Sequence, residues 1–197
     1  MTHEELSSIL LSDSPSLQLD TQREEVFQLI PELRPLLGMY QNSHHDYDGW
    51  THTIKTVDGV RPDLCMRMTA LLHDVGKPVT KAPHPKRPGD FQFVDHADVG
   101  AGIARHILER LGGWDAELSK ICTLIELHVD PLYLALNGYA PRAVRRFLRK
   151  TANTLPDLLE LAKADAMAKN ITERNEAVLQ PLLDALKAEH VVFRPPN

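Results

Sequence analysis

The sequence predicts an all-α fold of roughly seven or eight helices, and three observations support this prediction. Apolar residues recur at three- and four-residue spacing over most of the chain, as they do in amphipathic helices. Prolines and glycines divide these stretches into segments of helical length. Before the C-terminal tail, only the short run 91–94 (FQFV) has the composition of a strand.

The N-terminal elements follow from the positions of the prolines. Residues 1–21 predict a loose lead or a short helix broken at Pro15, and residues 22–38 predict a helix interrupted at Pro31 and Pro35. A helix over 47–58 comes next. The helix after it is predicted to begin at Pro62 and to end before Gly76, which would occupy a C-cap position.

Residues 75–95 contain too many prolines for a regular helix, and they carry a group of basic side chains. Part of this segment, 78–92, could act as a lid because a long loop in a small domain is often functional. Asp95 is expected to cap the following helix. Further helices are predicted at 97–112, 115–129, from Pro141, from Pro156 and at 172–189.

Composition excludes several classes of protein. The 197 residues suit one domain, and the 43% hydrophobic and 25% charged residues are ordinary for a globular core. A net charge of -5 argues against strong duplex DNA binding, but it leaves room for a local basic patch. Cys65 and Cys122 lie in apolar stretches and predict buried, reduced thiols. With no membrane-spanning run and no secretory signal, a cytoplasmic protein without membrane contact is expected.

Histidine is unusually frequent, with 10 residues, and several lie inside apolar helices. A buried histidine needs a partner, and a metal ion is a common one. Helices packed around a core can direct side chains to one point, and a mixed nitrogen and oxygen set suits Mg, Mn, Ni, Co, Fe or Zn. The candidate ligands lie in five predicted helices: His52, His73, Asp74, His96, His128 and Asp165.

The adjacent pair His73 and Asp74 is the most informative part of this set. Neighbours on a helix point about 100° apart, so both can face one ion only where the backbone loosens near Gly76. Asp74 could then bridge two ions. The alternative is that His73 is a hydrogen-bonded core histidine and Asp74 takes part in ending the helix, and the pair alone does not decide between them.

The run 71–78 (LLHDVGKP), preceded by 50–53 (WTHT), resembles the HD superfamily of metal-dependent phosphohydrolases. The resemblance is strongest to the HD domain of bacterial tRNA nucleotidyltransferases (CCA-adding enzymes), and it covers about 32–170. It also includes the following segments: QNSH at 41–44, DHA at 95–97, GA at 100–101, ELH at 126–128, RAVRR at 142–146 and AD at 164–165.

The resemblance implies roles for these residues. It implies that His52, His73, Asp74 and Asp165 are the core metal ligands, and that His96 and His128 allow a second metal ion. Capping or core positions remain the alternative for these two histidines, and a surface position for Asp165. Asp74 is expected to act catalytically with Lys77.

Two groups of cations are candidates for binding the substrate phosphate. Lys77 follows the His–Asp pair and should reach the phosphate as a point charge, although a solvated loop lysine is the alternative. Arg145 and Arg146 lie in the basic run 142–150, which is either a solvated face or a grip on a phosphate or nucleotide.

One departure from the family pattern affects the function. A CCA-adding enzyme needs an N-terminal nucleotidyltransferase domain, whereas about forty residues precede the HD region here. Residues 46–48 form a D-x-D sequence that we interpret as a polar helix start. A stand-alone relative is therefore expected, with an N-terminal lead and helix at 1–31, an HD domain at 32–170 and a C-terminal helix and tail at 171–197.

The sequence thus predicts a metal-dependent phosphohydrolase with one or two divalent ions. Its substrates would be phosphodiester or phosphomonoester bonds of nucleotides or RNA ends. The resemblance suggests 2′,3′-cyclic phosphodiesterase and 2′-nucleotidase activity. One alternative is a nucleoside mono- or triphosphate hydrolase, and another is a non-catalytic HD module that binds RNA or a nucleotide.

Overall fold

A computed structural model of the chain describes residues 1–43, 45–136 and 138–169, together with 181, 182, 184 and 186. These residues form α-helices, one 3-10 helix and one small hairpin, which confirms the all-α class. The elements are α1 (His3–Leu10), α2 (Pro15–Thr21), α3 (Arg23–Leu29), a 3-10 helix (Pro31–Leu36), α4 (Gly49–Gly59), α5 (Leu64–Leu72), α6 (Lys77–Thr80), β1 (Lys81–Pro83), β2 (Phe91–Phe93), α7 (His96–Leu111), α8 (Leu118–Leu127), α9 (Asp130–Leu136), α10 (Pro141–Thr151) and α11 (Leu155–Met167).

The described residues contain eleven α-helices, more than the seven or eight expected, because several predicted segments are divided. The N-terminal lead forms α1 and α2. Thr2 and Glu5 make a capping box at the start of α1, and Pro15 begins α2 rather than breaking a helix. Helix α9 was not predicted; it follows a turn at the end of α8.

The segment 75–95 is more regular than expected. It contains the one-turn helix α6, in which Pro78 lies in the first turn, where a missing N–H costs nothing. The prediction that prolines exclude helix here was therefore wrong at α6. Strands β1 and β2 then pair antiparallel, with Lys81 opposite Phe93, which confirms the predicted strand at 91–94.

Two helix starts differ from the prediction. Helix α5 begins at Leu64 rather than at Pro62, because the Asp63 side chain accepts a hydrogen bond from the Met66 N–H and caps the helix. Asp95 precedes α7 but makes no capping hydrogen bond through its side chain. Its backbone is left-handed, with φ of 60°, so that the chain turns sharply into α7.

Gly76 is required by packing, and it is the N-cap of α6 rather than a C-cap of α5, whose C-cap is His73. Its φ of -79° is ordinary, but a Cβ added there would lie 2.2 Å from the His96 carbonyl oxygen. The chain after α5 therefore presses directly against the first turn of α7. This close approach brings His96 beside the His73–Asp74 pair.

Helix α5 lies at the centre of the core, and all its residues from Cys65 to Leu72 are buried. Helices α1, α4, α8 and α11 pack around it. Trp50 on α4 is also buried, and its Nε1 donates to Asp20 Oδ1 at 3.0 Å. Cys65 and Cys122 are buried free thiols, as expected.

The predicted C-terminal helix 172–189 and the tail lie outside the described residues, apart from four positions. Of these, Leu182 and Leu186 are buried in the same hydrophobic core. The division into 1–31, 32–170 and 171–197 stays a prediction. Among the described helices, none is both long and apolar enough to cross a membrane.

Candidate metal centre

Five helices bring the six predicted ligands together. Helix α4 contributes His52, His73 and Asp74 follow α5, His96 opens α7, His128 follows α8, and Asp165 lies on α11. Ligand atoms of His52, His73 and Asp74 lie within 4.8 Å of one another, and so do those of Asp74, His96 and His128. Asp74 therefore belongs to both groups.

Each oxygen of Asp74 faces one pair of histidines. Oδ2 lies 3.5 Å from His52 Nε2 and 3.2 Å from His73 Nε2. Oδ1 lies 3.6 Å from His96 Nε2 and 3.7 Å from His128 Nε2. If each group held an ion, the Asp74 carboxylate would therefore be shared between the two ions.

Asp165 completes the first group from α11. Its Oδ1 lies 2.9 Å from His52 Nε2 and 3.9 Å from His73 Nε2. Its Oδ2 accepts from Lys169 Nζ at 2.8 Å, which holds the carboxylate in this orientation. The first group therefore offers two imidazoles and two carboxylates.

Backbone carbonyls orient the histidine rings. A carbonyl can only accept, so each of these Nδ1 atoms carries the hydrogen and the Nε2 of the neutral ring keeps a lone pair. This arrangement of a donated Nδ1–H and an inward lone pair is typical of metal-binding histidines. The pairs are His73 with Ala70 (2.7 Å), His96 with Phe93 (2.7 Å), His128 with Ile125 (2.6 Å) and, more loosely, His52 with Ala168 (3.4 Å).

The second group brings the Nε2 atoms of His96 and His128 face to face beside Asp74. Their Nε2 atoms are 3.2 Å apart, and each is left with a lone pair by its carbonyl partner. Burial and the neighbouring His128 lower the pKa of His96 to about 3, so its ring is neutral at pH 7. Either a shared proton or a metal ion between the two Nε2 atoms would satisfy both lone pairs.

Three further atoms of the two groups are buried without a hydrogen bond of regular geometry among the described residues. They are His52 Nε2, His73 Nε2 and Asp74 Oδ1, although His52 Nε2 lies 2.9 Å from Asp165 Oδ1. An unsatisfied buried polar group costs about 1–3 kcal/mol. Native interiors seldom leave such groups together, so the residues present fit a divalent cation.

The charges of the cluster also favour a cation. Burial raises the pKa of Asp74, but His73 and Lys77 lower it by more, so the carboxylate stays ionised. Burial likewise opposes ionisation of Asp165, and Lys169 and His52 hold its pKa well below the usual range. Two carboxylates thus remain charged at the base of the cleft, where Asp74 is buried and Asp165 is partly exposed.

The pKa of His73 is raised above the ordinary histidine value, which would make metal binding at this ring depend on pH. Burial lowers the pKa of this ring, and the adjacent Asp74 carboxylate raises it by more. A proton and a metal ion therefore compete for the same Nε2 atom.

Lys77 is buried beside the cluster rather than solvated. Its Nζ donates to Asp74 Oδ2 at 2.6 Å and to Gln41 Oε1 at 2.7 Å. An ammonium has three N–H donors, so one is left over from these two bonds. Lys77 also lines the cleft above the cluster, and its contact with a substrate phosphate stays a prediction.

A cleft of about 270 Å³ opens onto the cluster. One wall is the β1–β2 hairpin, and another is the start of α9 through Val129 and Leu132. The lining residues include the predicted ligands Asp74, His96, His128 and Asp165, the hairpin residues His84, Arg87, Phe91, Gln92 and Phe93, and also Asn42, His45, Lys77 and Lys169.

Several of these residues were not predicted from the sequence. Lys169 had a usable signal, because it lies four residues after Asp165 on the same helical side. Gln41 belongs to the segment 41–44 that carries the family resemblance, and His45 directly follows it, but the sequence assigned a role to neither. Burial, with Lys77 and Lys169 nearby, lowers the pKa of His45 to about 2, so this ring is neutral beside the cleft.

The hairpin is held against the segment before α4. Asp90 is buried and accepts hydrogen bonds from the Ser43 N–H and hydroxyl, each at 3.1 Å. Arg87 Nε lies 3.3 Å from Asp90, and Lys81 Nζ donates to the Tyr40 carbonyl. These contacts place the hairpin over the cleft, and a lid role for 78–92 stays a prediction.

The structure does not bring Arg145 and Arg146 to this cleft. Both are exposed on α10 and neither is among the residues that line the cleft. Arg146 instead lines a separate cavity of about 740 Å³ between α9 and α10, with Tyr133 and Phe147. Their role in binding the substrate phosphate stays a prediction.

The D-x-D sequence before α4 is the polar helix start that we expected. Asp48 is the N-cap of α4, and its side chain accepts from the Thr51 N–H at 2.8 Å.

Comparison with known families agrees with this geometry. Residues 50–170, which include all six clustered side chains, match the HD domain family. The chain belongs to the HD domain family. It is an HD-domain protein of the phosphohydrolase type, with a histidine and aspartate cluster consistent with divalent metal binding.

Relatives confirm the resemblance to tRNA nucleotidyltransferases. The CC-adding tRNA nucleotidyltransferase of Thermus thermophilus is 36% identical over 87% of this chain and 40% of its own length. The A-adding tRNA nucleotidyltransferase of Deinococcus radiodurans is 35% identical over 71% of this chain and 32% of its own length. A bifunctional uridylyltransferase/uridylyl-removing enzyme of Streptomyces coelicolor is 30% identical over 84% of this chain and 20% of its own length. The chain thus spans two fifths or less of these relatives.

Proposed function

We propose that this chain is a metal-dependent phosphohydrolase that cleaves phosphodiester or phosphomonoester bonds of nucleotides or RNA ends. Compounds with 2′,3′-cyclic phosphodiester and 2′-phosphate groups are the first substrates to test. The observation that carries the proposal is the group of buried Nε2 and carboxylate atoms without partners, which lies at the base of an open cleft.

The residues divide into two ion-binding groups that share Asp74. His52, His73, Asp74 and Asp165 would hold one ion, and Asp74, His96 and His128 would hold a second. When bound, a divalent ion lowers the pKa of a coordinated water to roughly 7 and offsets negative charge on phosphate oxygens.

Side chains of the cleft supply the remaining parts of the chemistry. Lys77 fixes Asp74 through one N–H and can direct a free N–H to a phosphate oxygen. Lys169 holds Asp165 at the cleft edge. Phe91 and Phe93 from the hairpin provide apolar wall that limits water and suits a nucleobase.

The names of the relatives support an RNA-end substrate over a free nucleotide, since two of them act on tRNA by name. The cleft has a volume of about 270 Å³. Because the cleft is small, the test also includes the alternative of a nucleoside mono- or triphosphate hydrolase. A non-catalytic HD module that binds RNA or a nucleotide is the other alternative.

The test is hydrolysis after chelation and re-addition of single ions. The ions are Mg, Mn, Ni, Co, Fe and Zn, and the substrates are bis-p-nitrophenyl phosphate, 2′,3′-cyclic AMP, 2′-AMP, 5′-AMP and a deoxynucleoside triphosphate. We expect turnover to return with at least one ion and to favour the 2′,3′-cyclic or 2′-phosphate compounds. Preference for 5′-AMP or the triphosphate would select the nucleotide hydrolase. No turnover with stoichiometric metal bound would select the binding module.

A further inference from the structure

Helix α10 presents a stripe of three arginines to solvent. Arg142, Arg146 and Arg149 are exposed, and their spacing places them within an arc of about 60° along about 10 Å of helix. The opposite side of α10 is buried through Val144 and Phe147. The stripe is therefore the outward face of a helix that is anchored in the fold.

Among the described residues, none of these three arginines forms an ion pair with a carboxylate. Lys150 on the same helix, by contrast, pairs with Glu126 and Asp130. Like charges three and four residues apart repel on a helix. In a chain of net charge -5, a local group of unpaired cations points to an anion supplied by a ligand.

Two cavities adjoin the stripe. One of about 370 Å³ is lined by all three arginines with Ala140 and Ala143. The larger one, of about 740 Å³, lies between α9 and α10 and has Arg146 and Tyr133 in its lining. The Tyr133 side chain is 52% exposed. A row of guanidinium groups beside an aromatic ring is suited to a single nucleic-acid strand. The phosphates of the strand can pair with the guanidinium groups while one of its bases stacks on the ring.

Helix α9 separates this region from the metal centre. Leu132 lines the metal cleft, and the next residue, Tyr133, lines the cavity on the other side of α9. A helix with its side chains is about 10 Å across, so one nucleotide bound in the cleft cannot also reach the stripe. A strand of several nucleotides can occupy both.

We propose that the arginine stripe and the α9–α10 cavity bind an RNA strand whose end enters the metal cleft. This inference rests on the proposed function and deepens it, because it makes a polymer rather than a free nucleotide the substrate. A membrane surface fits less well, since interfacial helices insert an exposed apolar face and the apolar face of α10 is buried.

The test compares two triple variants with the wild type in a chelating buffer, where no turnover occurs. The first carries Arg142→Gln, Arg146→Gln and Arg149→Gln. The matched control removes three exposed cations from other helices through Lys55→Gln, Arg105→Gln and Lys163→Gln. Fluorescence anisotropy measures the affinity for an unstructured RNA twelve nucleotides long as salt is raised from 50 to 200 mM, and circular dichroism verifies that both variants are folded.

Each phosphate contact on a single strand contributes about 0.7 to the slope of log affinity against log salt. The arginine variant should therefore lose about 2 from this slope, and the control should keep the wild-type slope. The same slope in both variants, or no RNA binding by the wild type, would overturn the proposal. Loss of binding to anionic phospholipid vesicles with unchanged RNA binding would overturn it in favour of a membrane surface.

Failure here is separable from failure of the proposed function. Hydrolysis of bis-p-nitrophenyl phosphate by the metal-loaded wild type reports on the metal centre and needs no strand. If the arginine variant loses the salt slope but the wild type hydrolyses nothing with any ion, the strand site is supported and the phosphohydrolase is rejected. If the wild type hydrolyses the compound but both variants have the same slope, the phosphohydrolase is supported and the strand site is rejected.

Discussion

Helix α11 carries two aspartates with opposite surroundings. Near its start, Asp157 Oδ1 accepts from Arg61 at 2.7 Å, and Oδ2 lies 2.7 Å from Lys120 Nζ. Glu160 also pairs with Arg61. Two turns further on, Asp165 faces His52 and a cluster in which His73 Nε2 and Asp74 Oδ1 are buried without a hydrogen bond among the described residues.

The difference lies in the lone pairs rather than in the number of charges. Around Asp157, two cations meet two carboxylates and both Asp157 oxygens are engaged. Asp74 and Asp165 also have one lysine each, Lys77 and Lys169. The metal centre adds four histidines whose Nε2 atoms point inward. In a network that only stabilises the fold, each polar atom has a hydrogen-bond or ion-pair partner within the network. In a binding site, some polar atoms are left for the ligand.

The largest effect should follow Asp74→Asn, because both ion-binding groups share this carboxylate. We expect metal-restored hydrolysis to fall to background while the far-ultraviolet circular dichroism spectrum is retained. The matched variant Asp157→Asn makes the same chemical change in the closed network and should keep its turnover per folded molecule. Comparable turnover by both variants would remove the distinction between the two clusters.

A smaller effect is expected for His96→Ala and for His128→Ala. Each removes one ligand of the second group and leaves His52, His73 and Asp165 in place. Bound metal, measured by plasma mass spectrometry after gel filtration, should fall from two ions per chain to one, with partial loss of turnover. His106→Ala, at an exposed histidine of α7, is the control and should not change the metal content. Equal metal content in all four proteins would argue against a second ion.

Breaking the closed network should affect stability instead. Asp157→Asn keeps the shape but loses the charge that Arg61 and Lys120 bond to. A hydrogen bond to a charged group contributes about 1.5–3 kcal/mol, and urea unfolding should show a loss of this order. The exposed Asp115→Asn is the control and should unfold like the wild type. An unchanged midpoint for Asp157→Asn would show that the network contributes nothing.

The smallest effect concerns how the free energy of unfolding changes at acid pH. Burial raises the pKa of Asp157, but hydrogen bonds from Lys120 and Arg61 lower it by more, to below the usual 3.8. Its contribution is therefore complete above 3.8 and is lost as the pH falls through the folded-state pKa. The measurement is made with a chelator present, so that metal binding does not contribute. The difference in free energy of unfolding between the wild type and Asp157→Asn should decrease as the pH falls below 3.8. If the difference in free energy of unfolding stays constant with pH, the effect of the substitution comes from packing rather than from the charge of Asp157.

Much of the metal centre could be predicted from the sequence. The His–Asp pair after an apolar helix, together with histidines at the ends of other helices, indicated a shared target, and the structure brings all six side chains together. The prediction of the ligand set succeeded because several of these residues lie at helix ends near Gly76 and Asp95, where the chain turns. Packing of the helices around the core directs these ends to one point.

The parts that sequence reasoning missed depend on contacts between distant segments. The Asp90 hydrogen bonds that hold the hairpin reach Ser43, 47 residues away. The position of Arg146 on the far side of α9 depends on how α9 and α10 pack, and α9 itself was not predicted. A one-dimensional pattern reports which side of a helix is apolar, but not which cavity its polar side faces.

The most direct test of the central claim is thermal unfolding of the chelated protein with and without added divalent ion. A ligand at a hundred times its dissociation constant stabilises the folded state by about 2.7 kcal/mol, or roughly 5–10 °C for a chain of this size. We expect this rise for the wild type and for Asp157→Asn, and none for Asp74→Asn. Equal shifts in all three proteins, or none in the wild type, would contradict an open metal site at Asp74.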